Sequence, residues 1–164
     1  MKKLLFLTIL LSSTFSFAQE ITGTVRTQDK YSKAILEINE GYLINDFTAF
    51  DKYTAENGNY TVNGKKFTKN EIREGFSSDH IYFKNIKMSS FVETTFYDEN
   101  NNNQVWTHVW QMWEGTSKRN GEKSRGPVHS SFKWVDGKVV EGIYIYDTVP
   151  LSTEIAAVQK KKKK

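Results

Sequence analysis

Tyr31, Ala34, Ile35, Ile38 and Tyr42 recur at three- and four-residue spacing, with Lys33, Glu37 and Glu40 between them. That period puts the apolar side chains on one stripe and predicts an amphipathic helix from about Gln28 to Leu43. Asn45 or Asp46 can cap a second helix carrying Phe47, Phe50 and Tyr53 on one side, with Asn57-Gly58 ending it. Tyr60–Val62 and Lys65–Phe67 flank Asn63-Gly64, a pair suited to a tight hairpin. Thr68-Lys69-Asn70-Glu71 reads as a capping box that opens a third helix burying Ile72 and Phe76.

After Asp79 the pattern turns to β-formers: Ile81–Met88, Phe91–Tyr97, Gln104–Glu114, Val128–Val135 and Lys138–Asp147, separated by polar turns. A short closing helix is expected over Leu151–Val158, after Pro150. Helices first and an antiparallel meander afterwards predict an α+β domain with the helices on one side of a curved sheet. The last hairpin can be read residue by residue. A two-residue Asp136-Gly137 loop pairs Val135 with Lys138 and Trp134 with Val139, and regular pairing continues outward. Phe132, Trp134, Val139, Glu141, Ile143, Ile145 and Asp147 then share the face towards the helices. His129, Lys133, Val140, Tyr144 and Tyr146 share the other.

Three helices, the third opened by a capping box, precede a meander that ends in Phe132–Glu141 and closes at Tyr146-Asp147. With the Asn45-Asp46 helix start and the strand end at Trp110 and Trp113–Thr116, this order resembles the SnoaL-like branch of the nuclear-transport-factor-2-like superfamily. The likeness runs from about Gln28 to Ala157. It implies a cone-shaped, curved antiparallel sheet with three N-terminal helices on its concave face and a pocket between them. It also implies that many members dimerise through the outer sheet face. Members include isomerases, polyketide cyclases and dehydratases as well as binding domains, so the likeness does not assign a reaction. No catalytic position of the family carries over to a matching residue in this chain.

The ends of the chain add a location. Lys2 and Lys3, the apolar run Leu4–Leu11 and the small residues Ser16 and Ala18 read as a secretory signal peptide, residues 1–18, cleaved before Gln19. The apolar run is much shorter than the roughly 20 residues that span a bilayer. No later segment is apolar enough to do so, so no integral membrane segment is expected in the mature chain, and a periplasmic or secreted location is. There are no cysteines to form disulfides or to carry a lipid anchor. The net charge of +4 falls to +2 without Lys2 and Lys3, and to −3 without Lys160–Lys164. The domain over residues 19–159 is thus mildly acidic, and no nucleic-acid partner is expected. The lysine run, 160–164, reads as a disordered, solvated tail, with adhesion to an anionic surface as the sharper alternative.

Two carboxylates stand out on the face expected to meet the helices. Glu141 and Asp147 would have their pKa raised by burial there, which suits acid–base work. Equally, Asp147 can cap the segment near Pro150, and Glu141 can reach water at a bend. Val105–Trp113 is apolar on both faces and predicts a central strand, with Trp106, His108, Trp110 and Met112 directed to the pocket. The long Gly115–Gly121 turn leaves its register open. His108 is then a proton donor or acceptor, or a hydrogen-bonded structural histidine. Trp106, Trp110, Tyr53, Phe132 and Trp134 are candidates to line a pocket for a small organic molecule, or simply core. Val140, Tyr144 and Tyr146 on the outer face predict a homodimer contact. The histidines lie 28 and 21 residues apart, and Asp98–Val109 fails as an EF-hand loop, so neither a metal nor a cofactor is called for. Two functions remain: a binding protein for a small organic molecule, or a cofactor-free acid–base enzyme of isomerase, cyclase or dehydratase type.

Overall fold

The computed structural model describes residues 22–162, so the expected signal peptide, residues 1–18, and Lys163–Lys164 of the expected tail lie outside the described residues. A seven-stranded sheet with the order β1-β4-β5-β6-β7-β2-β3 curves around three helices. Its strands are β1 (Thr24–Arg26), β2 (Thr54–Val62), β3 (Lys65–Phe67), β4 (Phe83–Asp98), β5 (Gln104–Ser117), β6 (Lys123–Val135) and β7 (Lys138–Tyr146). The helices are α1 (Lys30–Leu43), α2 (Thr48–Tyr53), α3 (Lys69–Tyr82) and α4 (Val149–Lys162). The sheet is open and mixed rather than wholly antiparallel, because β2 pairs in parallel with β7. The class is α+β, as the order of elements predicts.

Local rules account for most boundaries. Asp29 caps α1, its Oδ1 accepting from the backbone N–H of Tyr31 and Ser32 at 2.9 and 2.8 Å. The capping box at α3 forms in both directions between Thr68 and Glu71. Asn63 and Gly64 both take positive φ in the β2–β3 hairpin, the conformation that this tight turn demands. α4 starts at Val149, whose N–H is accepted by Asp147 Oδ1 at 2.9 Å, and runs through Lys160–Lys162. The core joins Ala34 and Ile35 of α1, Phe50 of α2 and Ile72 of α3 to Val109, Phe132 and Tyr144 of the sheet.

Three expectations change. First, α2 stops at Tyr53 and Asn57-Gly58 lies inside β2. Tyr60 is fully buried and its ring folds back over Gly58, where a Cβ would collide with the phenol. Glycine here makes room for an aromatic ring and does not end a helix. Second, Ile81–Met88 and Phe91–Tyr97 are not two strands. Ile81 and Tyr82 finish α3, and one 16-residue strand follows. Its pairing with β5 slips between Lys84 and Lys87 and between Ser89 and Val92, where Asn85 and Ser90 take positive φ. Such bulges bend a strand without ending it.

The third change matters most for the site. The β6–β7 hairpin begins as expected, with Val135 opposite Lys138 and Trp134 opposite Val139. The next pair is Lys133 with Glu141, so Val140 is an extra residue. A slip of one residue moves every later side chain to the opposite face. Gly142, Tyr144 and Tyr146 therefore face the helices, while Glu141, Ile143 and Ile145 face outward. The packing supplies the reason: Tyr60 of the neighbouring β2 presses on Gly142, the one position of β7 without a side chain.

Candidate functional site

A cavity of about 120 Å³ lies between α1, α2 and α3 and the concave sheet, with Pro150 and Leu151 of α4 at its rim. Ile35, Ile38, Phe47, Phe76, Phe132 and Tyr144 form much of its apolar wall. The rings meet edge to face: Phe76 with Tyr144 at 5.1 Å and Phe132 with Tyr144 at 5.6 Å.

Into this wall three elements bring a short polar chain. Tyr42 arrives on the last turn of α1, Asp79 on the last turn of α3, and Trp113 on the concave face of β5. Trp113 Nε1 donates to Tyr42 Oη at 2.7 Å, and Tyr42 Oη donates to Asp79 Oδ2 at 2.9 Å. His80 Nε2 lies 2.7 Å from the Tyr42 carbonyl oxygen, which only accepts, so Nε2 carries the proton and ties α3 to α1. Asp79 forms no salt bridge among the described residues. Burial raises its pKa to about 6, against a partial lowering by the hydrogen bond from Tyr42. Tyr42 is itself buried, and desolvation, then the Asp79 charge, push its pKa far up, so it stays a proton donor. A carboxyl group half-ionised near pH 6 against apolar walls can take a proton from a bound molecule and return it.

Few of the residues singled out from sequence meet here. Phe132 lines the cavity as expected, and Asp147 reaches its rim but is exposed and caps α4. Trp134 is buried beside the cavity, its Nε1 donating to Thr107 at 2.9 Å and its ring 4.8 Å from Tyr31. Tyr53 stands at the surface, donating to Glu37 at 2.8 Å and accepting from Lys52 at 2.6 Å. Trp106, His108 and Trp110 are on the outer face, contrary to expectation. β5 pairs Val109 with Ser130 and Thr107 with Phe132, which puts the odd-numbered residues inward. His108 Nδ1 lies 2.9 Å from Ser131 Oγ, and His129 Nε2 lies 3.1 Å from the same oxygen. Burial, then the neighbouring His129, lower the His108 pKa. Glu141 is outside because of the Val140 bulge. Tyr144 and Tyr146 face the cavity and cannot form the outer contact expected of them.

Local sequence pattern places Tyr42 only in an apolar stripe and does not single out Gln111 or Trp113 as site residues. Asp79 had a legible signal: it follows Ile72 and Phe76 at helical spacing, so it is a carboxylate on the buried stripe. Among the described residues no group of three or more His, Asp or Glu side chains is placed to hold a metal ion. No described helix is long and apolar enough to cross a membrane.

No protein-family model and no curated protein matches the sequence. Solved structures do match in shape. IdmH of Streptomyces antibioticus, a candidate polyketide cyclase, superposes with a TM-score of 0.56 at 14% identity, over 78% of this chain and 99% of its own. AclR of Streptomyces galilaeus, a candidate hydroxylase, gives 0.55 at 14% identity, over 76% and 83%. A protein of ketosteroid isomerase-like fold from Catenulispora acidiphila, solved with trimethylamine, gives 0.54 at 11% identity, over 71% and 86%. The chain has the nuclear-transport-factor-2-like fold of these polyketide cyclase and ketosteroid isomerase-like structures, as its resemblance to the SnoaL-like branch implies.

Proposed function

We propose that this fold serves here as an exported protein whose cavity binds a small, mostly apolar organic molecule, and that Asp79 transfers a proton on it. The observation that carries the reading is the Asp79 carboxyl group, without a cationic partner among the described residues, at the edge of an apolar cavity and bonded to Tyr42. Evolution rarely leaves such a group in a wall without use, because burying it destabilises the fold. The chemistry is cofactor-free. Ionised Asp79 takes the proton from a carbon beside a carbonyl, and the C–H electron pair becomes the π bond of an enolate. The carboxylic acid so formed then gives the proton back, at the same carbon or another. Isomerisation and cyclisation both begin this way, in keeping with the names of the structural neighbours. Tyr42 and Trp113 hold the carboxyl group in place.

The test is hydrogen exchange. The mature protein is incubated in deuterated water with a panel of small cyclic and aryl ketones, and deuterium at the α-carbon is read by mass spectrometry. Exchange above buffer that is lost in Asp79→Asn supports the reading. Retention of a small molecule in native mass spectra without exchange would leave a binding protein.

Two further parts of the reading concern place and assembly. Fractionation with N-terminal sequencing should find a mature chain beginning at Gln19 outside the cytoplasm. A homodimer through the outer sheet face is favoured by Val92, Trp110 and Ile145, which are 55%, 46% and 52% exposed there. Sedimentation at tens of micromolar tests it.

A further inference from the structure

Proton transfer by Asp79 makes no use of Gln111, a polar group of the same cavity wall. Gln111 stands on β5 between Val109 and Trp113, opposite Val128 of β6, with its side chain on the concave face. Its Oε1 is buried, and no donor among the described residues reaches it. The other polar groups on this face of β5 are answered. Trp113 bonds to Tyr42, and Thr107 bonds to both Trp134 and Thr95. Gln111 is the exception on this face of the strand. An unpaired buried carbonyl oxygen carries its full desolvation penalty, which leucine or methionine in the same place would avoid.

The chemistry of the amide narrows what would satisfy it. Oε1 requires a donor. Turned over, the same amide would present N–H and require an acceptor. A hydroxyl group answers either orientation, since it both donates and accepts. An ammonium group would be drawn to the Asp79 charge rather than to a neutral amide. On the concave face Gln111 is flanked by Trp113 on its own strand and by Val128 and then Tyr146 across the sheet, aromatic and apolar surfaces that suit a flat apolar ring. We infer that Gln111 is the specificity-determining residue of the cavity and that its ligand is an apolar ring compound whose hydroxyl group bonds to the Gln111 amide. This inference rests on the cavity being a ligand site.

The experiment uses two probes of nearly the same shape, 2-naphthol and 2-methylnaphthalene, titrated into the mature protein and into Gln111→Leu by ligand-observed NMR. The quantity read is the ratio of their dissociation constants, methyl over hydroxyl, in which the greater hydrophobicity of the methyl compound cancels between proteins. The ratio should fall at least tenfold in Gln111→Leu, because that variant loses the partner of the hydroxyl and gains apolar contact. A ratio that stays within threefold of wild type overturns the assignment of Gln111 while leaving the cavity a binding site. Failure of both probes to bind the wild type would overturn the ligand-site reading and this inference with it. Gln111→Leu should melt at or above the wild-type temperature. Should it misfold, Gln111→Met, which keeps the unbranched shape, gives the same comparison.

Discussion

The two faces of the sheet are both rich in aromatic residues, and among the described residues it is the concave face that borders the cavity. On the concave face of β5, Val109, Gln111 and Trp113 meet α1 and α3. On the outer face, Trp106, His108 and Trp110 lie beside His129, with Trp106 and His108 stacked at 6.2 Å and Trp110 and His129 rings 4.9 Å apart. By composition the outer row is the better candidate for chemistry, since it holds two histidines and two indoles. What distinguishes the inner face is desolvation: helices cover it, so Asp79 and Tyr42 there have strongly shifted proton affinities. The difference teaches that aromatic density does not mark a pocket in a small curved sheet. A titratable group on a covered apolar face does.

The largest effect that would break this comparison belongs to Asp79→Asn. It should lower α-proton exchange at least about 100-fold, the usual scale for loss of a general base, whereas His108→Asn on the outer face should leave exchange unchanged. The same variant has a stability signature. Since Asp79 is held at about 6 in the folded state against 3.8 as its ordinary value, the native state binds the proton more tightly than the unfolded chain. Stability from this group therefore falls as pH rises from about 4 to 6, by on the order of 2 kcal/mol. Denaturant melts at pH 4 and 7 should show that loss in wild type and its absence in Asp79→Asn. Exchange by the wild type should rise with pH and level off above about 6.

Gly142→Val tests the face assignment of β7. With Tyr60 against it, an added side chain should destabilise by about 2–3 kcal/mol. Ile143→Val, one position on and facing outward, should cost less than about 1 kcal/mol. Equal costs would mean that Val140 is not an extra residue. Tyr42→Phe should cost about 1–2 kcal/mol, because it leaves Trp113 Nε1 and the Asp79 carboxyl group without their shared partner. It should also move the Asp79 midpoint above 6, read from the carbon-13 shift of its carboxyl carbon, since the lost bond is the one that lowers it. The smallest effect is expected from Trp110→Ser. It should change stability by less than about 1 kcal/mol and leave exchange untouched, while shifting the monomer–dimer balance in sedimentation towards monomer.

The apolar stripes of α1 and α3, the capping box that opens α3 and both tight hairpins were determined by the sequence itself, because each rests on contacts within a few residues. The stripe from Tyr31 to Tyr42, Thr68 with Glu71, and Asn63-Gly64 or Asp136-Gly137 carry their own geometry wherever the chain places them. The α+β class followed from their order. Which face of each strand meets the helices was decided only in the tertiary structure. β5 is apolar on both faces, so alternation could not choose between Trp106, His108, Trp110 and Val109, Gln111, Trp113. In β7 the extra Val140 depends on Tyr60, some eighty positions away, pressing on Gly142. Asp79 and Tyr42 are 37 residues apart and become a site only because Trp113 and His80 hold the ends of their helices together. A site built from long-range pairs is invisible to local pattern, since its defining quantity, the removal of water from a carboxyl group, exists only after the sheet has closed over the helices.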